Sequence, residues 1–195
     1  LAKKINNRIP LPWFHKQVKP LNIGYCLLNR HYVKPQLKAI LLDVGKKLDK
    51  QHPGTILAYM DANHPFWNGY RLIPHLSHKD GKKVDIAFLY VNSKSQKEVN
   101  RKTPTAIGYG SSLEVKKGER NRPQECEKQG YWWRKLEFDG KRNRSMVRIF
   151  AKDPRVGKVL IEPHVKSRLK MNAYNKLRMV GCNAVRHDDH IHVQL

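Results

Sequence analysis

The sequence predicts an α+β domain, and three observations carry that prediction. Apolar residues between Leu37 and Leu48 recur at helical spacing, several short apolar runs read as strands, and the helical stretches are segregated from the strands instead of alternating with them. A chain of 195 residues with 39% hydrophobic side chains is long and apolar enough to bury one sizeable core.

Residues 1 to 33 are punctuated by Pro10, Pro12 and Pro20 and lack periodicity, so they read as an arm packed on the domain, with Trp13 and Phe14 tying it down. From residue 34 to 195 the pattern is that of one domain. Pro35 suits the first turn of a helix carrying Leu37, Ile40, Leu41, Val44 and Leu48, and Pro53-Gly54 closes the unit. Thr55 to Met60 reads as a strand, Asp61 to Gly69 as a loop, and Val84 to Tyr90 as a second strand. Residues 92 to about 125 are polar, rich in Lys and broken by Pro104, Gly108, Gly110 and Gly118, which suggests a long surface excursion. Between Tyr131 and Ala151 helix and strand are equally compatible with the pattern. Lys158 to Ile161 reads as a strand stopped before Pro163, residues 164 to 179 as an amphipathic helix on Val165, Leu169 and Leu177, and His190 to Val193 as a closing strand.

With 39 Lys and Arg against 16 Asp and Glu, the formal charge is +23, which predicts attraction to polyanions. The cations are dispersed, and no compact basic tract marks a nucleic-acid arm. The run Tyr131-Trp132-Trp133-Arg134-Lys135 offers aromatic and basic groups together, but core anchoring explains such a Trp pair better than base stacking. No run of apolar residues is long enough to span a membrane. No secretory leader opens the chain, yet it begins at Leu1 without Met, so export stays open. Cys26, Cys126 and Cys182 are too few and scattered for a zinc ribbon; one disulfide with a free thiol, or three thiols, both fit.

Ten histidines are unevenly placed, and two clusters matter. In the first, His75 and His78 lie on a loop, Gly81 supplies a turn, and Asp85 arrives at the start of an apolar strand. A lone Asp on a buried strand needs a cation or hydrogen-bond donors. In the second, His187-Asp-Asp-His190-Ile-His192, residues two apart on a strand project from one face about 6.5 Å apart, so His190 and His192 enter one site. His78, Asp85 and His192 together make a two-His, one-carboxylate set suited to a catalytic zinc with an open position. Either cluster alone reads better as surface or hydrogen-bonded histidines; their joint occurrence is what points to a metal.

The run Asn68-Gly-Tyr-Arg-Leu-Ile-Pro-His75-Leu-Ser-His78, followed by Gly81 and Asp85, resembles the His-x6-Asp motif of the lysostaphin and D-Ala-D-Ala peptidase superfamily, and most of all the penicillin-insensitive murein endopeptidases. The ending His187 to Val193 is similar to that family's second motif, and Lys158 to Leu169 to its strand-Pro-helix lead-in. The resemblance covers roughly residues 35 to 90 and 130 to 195. It implies a small antiparallel sheet with flanking helices, Zn2+ in a cleft on His78, Asp85 and His192, His75 at a first or accessory metal position, and His190 and His187 in the active site. Lys79 and Lys82-Lys83 depart from the family pattern beside the ligands without replacing them.

On this resemblance the chain is a periplasmic or secreted zinc metallopeptidase that hydrolyses peptide bonds in peptidoglycan cross-links through a metal-activated water. Its positive charge suits anionic cell-wall polymer. No His-Glu-x-x-His glutamate is present, so His190 is the candidate for proton transfer or oxyanion stabilisation, supported by His187. Arg71 and Tyr70 are candidates for substrate binding. Three rivals remain: a D-alanyl-D-alanine carboxypeptidase, a degenerate relative that binds wall without cutting it, and a basic nucleic-acid-binding protein, which the missing helix-turn-helix and finger signatures disfavour.

Overall fold

The computed structural model describes residues 6–73, 75–120, 135–179, 187 and 189–195. Their elements, in chain order, are β1 (Ile9–Pro10), β2 (Val18–Pro20), α1 (Gly24–Leu27), β3 (Tyr32–Val33), α2 (Pro35–Gln51), β4 (Leu57–Tyr59), β5 (Lys83–Ala87), β6 (Tyr90–Asn92), β7 (Glu98–Val99), β8 (Leu136–Phe138), α3 (Gly140–Lys152), β9 (Lys158–Leu160), α4 (Pro163–Arg168), β10 (Leu177–Arg178) and β11 (His190–Gln194). The architecture is α+β.

The main sheet has the order β10-β9-β11-β5-β4-β2. Its centre, from β9 to β4, is antiparallel, whereas both edges are parallel, β10 on β9 and β2 on β4, so the sheet is mixed and not purely antiparallel as the resemblance implied. Smaller sheets form from β7-β6-β8 and from β1-β3. Residues before 34 therefore contribute an edge strand to the main sheet, with Val18 opposite Leu57.

Helix α2 forms as its spacing predicts. Pro35 occupies the first turn, and Leu37, Ile40, Leu41, Val44 and Leu48 are all fully buried, each worth roughly 1.5–3 kcal/mol relative to exposure. It packs against α3; the ambiguous stretch between 131 and 151 is, in its described part, first a strand, β8, and then this helix. Asp139 caps α3 by accepting from Arg142 N at 3.0 Å, and Met146, Val147 and Phe150 face the core. The Trp132-Trp133 pair, Cys126 and Cys182 lie outside the described residues, while Cys26 is a free buried thiol.

Three expectations are corrected. The helix foreseen over 164–179 stops at Arg168, because Lys170 takes a left-handed backbone (φ 54°) and Leu177 instead joins β10 opposite Val159. The strand foreseen over 84–90 divides: β5 belongs to the main sheet and Tyr90 begins β6 in another, with Asn143 bridging the break through Leu89 N and O. The excursion over 92–125 is not all surface, since Thr103, Thr105, Ser111 and Leu113 are buried.

His31 joins β3 to the arm, accepting from Trp13 Nε1 on its Nε2 at 3.0 Å while its carbonyl accepts from Leu11 N. Burial pushes its pKa down to about 4. The unfolded chain accepts that proton near pH 6.5 and the folded chain resists it, so this contribution is complete above pH ~6.5 and is lost as pH falls towards 4. We expect urea denaturation to show stability falling over this window by up to about 3 kcal/mol more in the wild type than in His31→Phe.

Candidate metal centre

The site is built on register. In the antiparallel pair of β5 and β11, Asp85 stands directly opposite His192 and Ala87 opposite His190, so the period-two His-x-His places both rings on the face that carries the Asp85 carboxylate. Asp85 is fully buried, and so is His78, which arrives from the loop before β5. His192 Nδ1 lies 2.8 Å from Asp85 Oδ1, His78 Nε2 lies 3.3 Å from the same oxygen, and the two ring nitrogens are 3.1 Å apart.

These three atoms form a close triangle of two ring nitrogens and one carboxylate oxygen. If both nitrogens donate to Asp85 Oδ1, their protons crowd each other across 3.1 Å. A tetrahedral ion with bonds of about 2.0–2.1 Å sets its ligand atoms ~3.3 Å apart, close to all three edges. The donor set therefore fits a zinc-sized cation. His75 extends it on the other side, with Nδ1 3.6 Å from Asp85 Oδ2 and Nε2 3.5 Å from Asp61 Oδ2. His75, His78 and Asp85 form a group whose ligand atoms all lie within 4.8 Å of one another and could hold a metal ion.

The loop bearing His75 and His78 is held by buried polar anchors. Arg8 is buried without a salt bridge to any described acid; its guanidinium donates to the carbonyls of His64, Trp67 and Lys79 and to Asn68 Oδ1, joining the two ends of the loop. Asn63 donates to the Lys83 and Tyr32 carbonyls and accepts from Gly81 N. Gly81 has φ 76°, and a Cβ there would meet Arg8 and Lys34 at 3.1–3.2 Å, so the turn between His78 and Asp85 requires glycine. His78 Nδ1 donates to the Ala62 carbonyl at 2.5 Å, which leaves Nε2 as the ring nitrogen turned towards the cluster.

Electrostatics follow from this burial. Burial pushes the Asp85 carboxyl up, but the charges of His78 and His190 and the hydrogen bonds from His192 and His78 outweigh it and hold the pKa well below the usual range. Burial lowers His78 too, and Asp85 more than reverses it. His75 and His192 end below their ordinary value because burial prevails over the same carboxylate. Their neutral rings carry the lone pairs a metal needs.

Several participants were not singled out by sequence reasoning. Tyr109 donates from Oη to Asp85 Oδ2 at 2.7 Å, and Asp61, gripped by Arg30 Nε and Nη2, faces His75. Asp189 contacts His190 Nδ1 through Oδ1 and accepts from Ser111 N through Oδ2 at 3.2 Å. The His187 ring lies tilted against His190, with centroids 4.7 Å apart, and its backbone N donates to Glu162 Oε1. Asp189 lay beside a quoted histidine and Asp61 at the end of a foreseen strand, whereas nothing local marks Tyr109. Tyr70 packs with His64, Phe66 and Trp67, Trp67 is exposed, and Arg71 is exposed on the loop.

A buried His and Asp cluster at the junction of two strands is shared by more than one hydrolase class, so the comparison with known families decides. The penicillin-insensitive murein endopeptidase profile matches residues 25–195. The chain belongs to that family. Murein endopeptidases are peptidoglycan hydrolases, and the bounds of the match take in the middle segment that the motif resemblance left uncovered. A search of curated proteins found no match. Arg8 precedes the matched region yet anchors the loop that carries two of this endopeptidase's histidines. Arg8→Met should cost about 3 kcal/mol in chemical denaturation and weaken metal affinity in a competition titration, because the carbonyls it caps are left without a donor.

Proposed function

We propose that this murein endopeptidase is zinc-dependent, with His78, Asp85 and His192 holding the ion, His75 at an accessory position, and His190 and His187 acting on the substrate. The supporting observation is the triangle of ligand atoms around Asp85 Oδ1, whose edges of 2.8–3.3 Å match a tetrahedral ion. When bound, zinc polarises the scissile carbonyl and lowers the pKa of water towards about 7.

The protein's own groups supply the rest. Asp189 holds the His190 Nδ1 side of the ring, so Nε2 faces the cluster, 3.9 Å from Asp85 Oδ2. In that tautomer Nε2 takes a proton from the attacking water and returns it to the leaving amine. Ser111 N fixes Asp189 in turn. His187, packed against His190 and with its ring centroid 5.9 Å from that of His192, faces the region where charge develops on the carbonyl oxygen and stabilises it. Tyr109 steadies Asp85 and restricts water at its second oxygen. Substrate binding by Arg71 and Tyr70 belongs to the same reading, with Arg71 offering a guanidinium to a stem-peptide carboxylate. A murein substrate places the enzyme outside the cytoplasm, in the periplasm or secreted. Among the described residues no helix is long and apolar enough to cross a membrane.

The direct test is mass spectrometry of cross-linked muropeptide dimers incubated with zinc-loaded protein. Conversion to monomers is expected, and it should be lost on chelation and in His192→Ala. Loss of a terminal D-alanine with dimers intact would instead establish a carboxypeptidase, and unchanged dimers with zinc bound would overturn the murein reading. Asp85→Ala and His192→Ala should abolish zinc binding by calorimetry, whereas His190→Ala should keep zinc and lose about 10²–10⁴-fold in kcat. Full activity in His190→Ala would overturn its role.

A further inference from the structure

A second cleft, of about 540 Å³, opens away from the histidine cluster between α3 and the end of α4, lined by Gly140, Lys141, Arg144, Ser145, Arg148, Arg168, Leu169 and Lys170. Lys141, Arg144 and Arg148 fall at i, i+3 and i+7 on one exposed face of α3, and the exposed Lys170 faces them from the turn after α4. Arg168 is neutralised by Glu119, with both guanidinium contacts at 2.8 Å. The other four cations have no carboxylate within salt-bridge distance among the described residues. Like charges three and four residues apart on a helix repel, and α3 carries two such pairs unrelieved. An anion entering the cleft removes that repulsion.

Arg168 also lines a neighbouring depression of about 380 Å³ together with Ser112 and Leu113.

We propose that this cleft is an exosite for the carboxylates of the peptidoglycan strand, gripping stem peptides next to the one being cut. This rests on the murein reading above. Planar guanidinium groups at Arg144 and Arg148 suit carboxylate forks, and a polymer presenting many such groups rewards a second contact through effective concentration. A phosphodiester polymer such as duplex DNA is the competing occupant.

The experiment compares the full chain with the triple variant Lys141→Gln/Arg144→Gln/Arg148→Gln and with a control, Lys46→Gln/Lys47→Gln/Lys50→Gln, which removes equal charge from exposed positions on α2. Co-sedimentation with purified sacculi stripped of attached polymers is measured across a salt series, alongside cleavage of a small soluble muropeptide dimer. The exosite predicts at least about a tenfold weaker sacculus affinity and a flatter salt dependence for the α3 variant only, with dimer cleavage unchanged. Equal weakening in the α2 control, unchanged sacculus affinity, or a parallel loss of dimer cleavage would each overturn it. So would loss of duplex DNA affinity with sacculus affinity intact. If the wild type cleaves no dimer, the murein hydrolase reading fails, while the two triple variants still decide whether the cleft binds the strand.

Discussion

A carboxylate with no access to water governs this molecule. Asp85 sits on a central strand, and such a charge is tolerated only where cationic or hydrogen-bonding groups surround it. Here His78, His192, His190 and Tyr109 all converge on its two oxygens, from three separate parts of the chain. The carboxylate therefore organises both the fold and the chemistry: the same groups that make its burial possible are those that suit a metal. Replacing it removes the reason for the histidines to face one another.

Around this centre lies a set of contacts that set the geometry of the histidines and of the strand carrying Asp85. Arg30 grips Asp61, which faces His75; Asn63 ties the turn at Gly81 to β5; Asp189 orients His190 and is itself held by Ser111. Gly108 lets Tyr109 reach Asp85, since its backbone is left-handed (φ 84°) and a Cβ would strike Leu21 and Met60 at 2.6–2.9 Å. Fixing donors and acceptors before substrate arrives is how a site avoids reorganisation during reaction.

Much of the centre was legible in the sequence because its signals are local and periodic. A His-x-His at strand spacing fixes a shared face, an isolated Asp in an apolar run demands partners, and the α2 pattern admits one helix face. What the sequence concealed was non-local or weakly patterned. Tyr109 lies in a polar stretch and acquires meaning only when Gly108 bends it under the sheet. The run 84–90 looks uniform, and only the capture of Leu89 by Asn143 on α3 shows where one sheet yields to another. The segment 164–179 has apolar residues at helical spacing, but Leu177 is buried by pairing beside Val159. Tertiary contact overrides propensity at these points.

The central position of β11 carries a consequence for biogenesis. His192 meets Asp85 across 107 residues of chain, and β11 inserts between β9 and β5, which lie on either side of it in the sheet. Until that strand arrives, the sheet is two separate halves, and His190 and His192 are missing from the cluster around Asp85. Contacts of such sequence separation form late and slowly. The pairing that brings His192 to Asp85 is therefore a late step of folding, and the histidines of this hydrolase gather around the carboxylate only as the sheet closes.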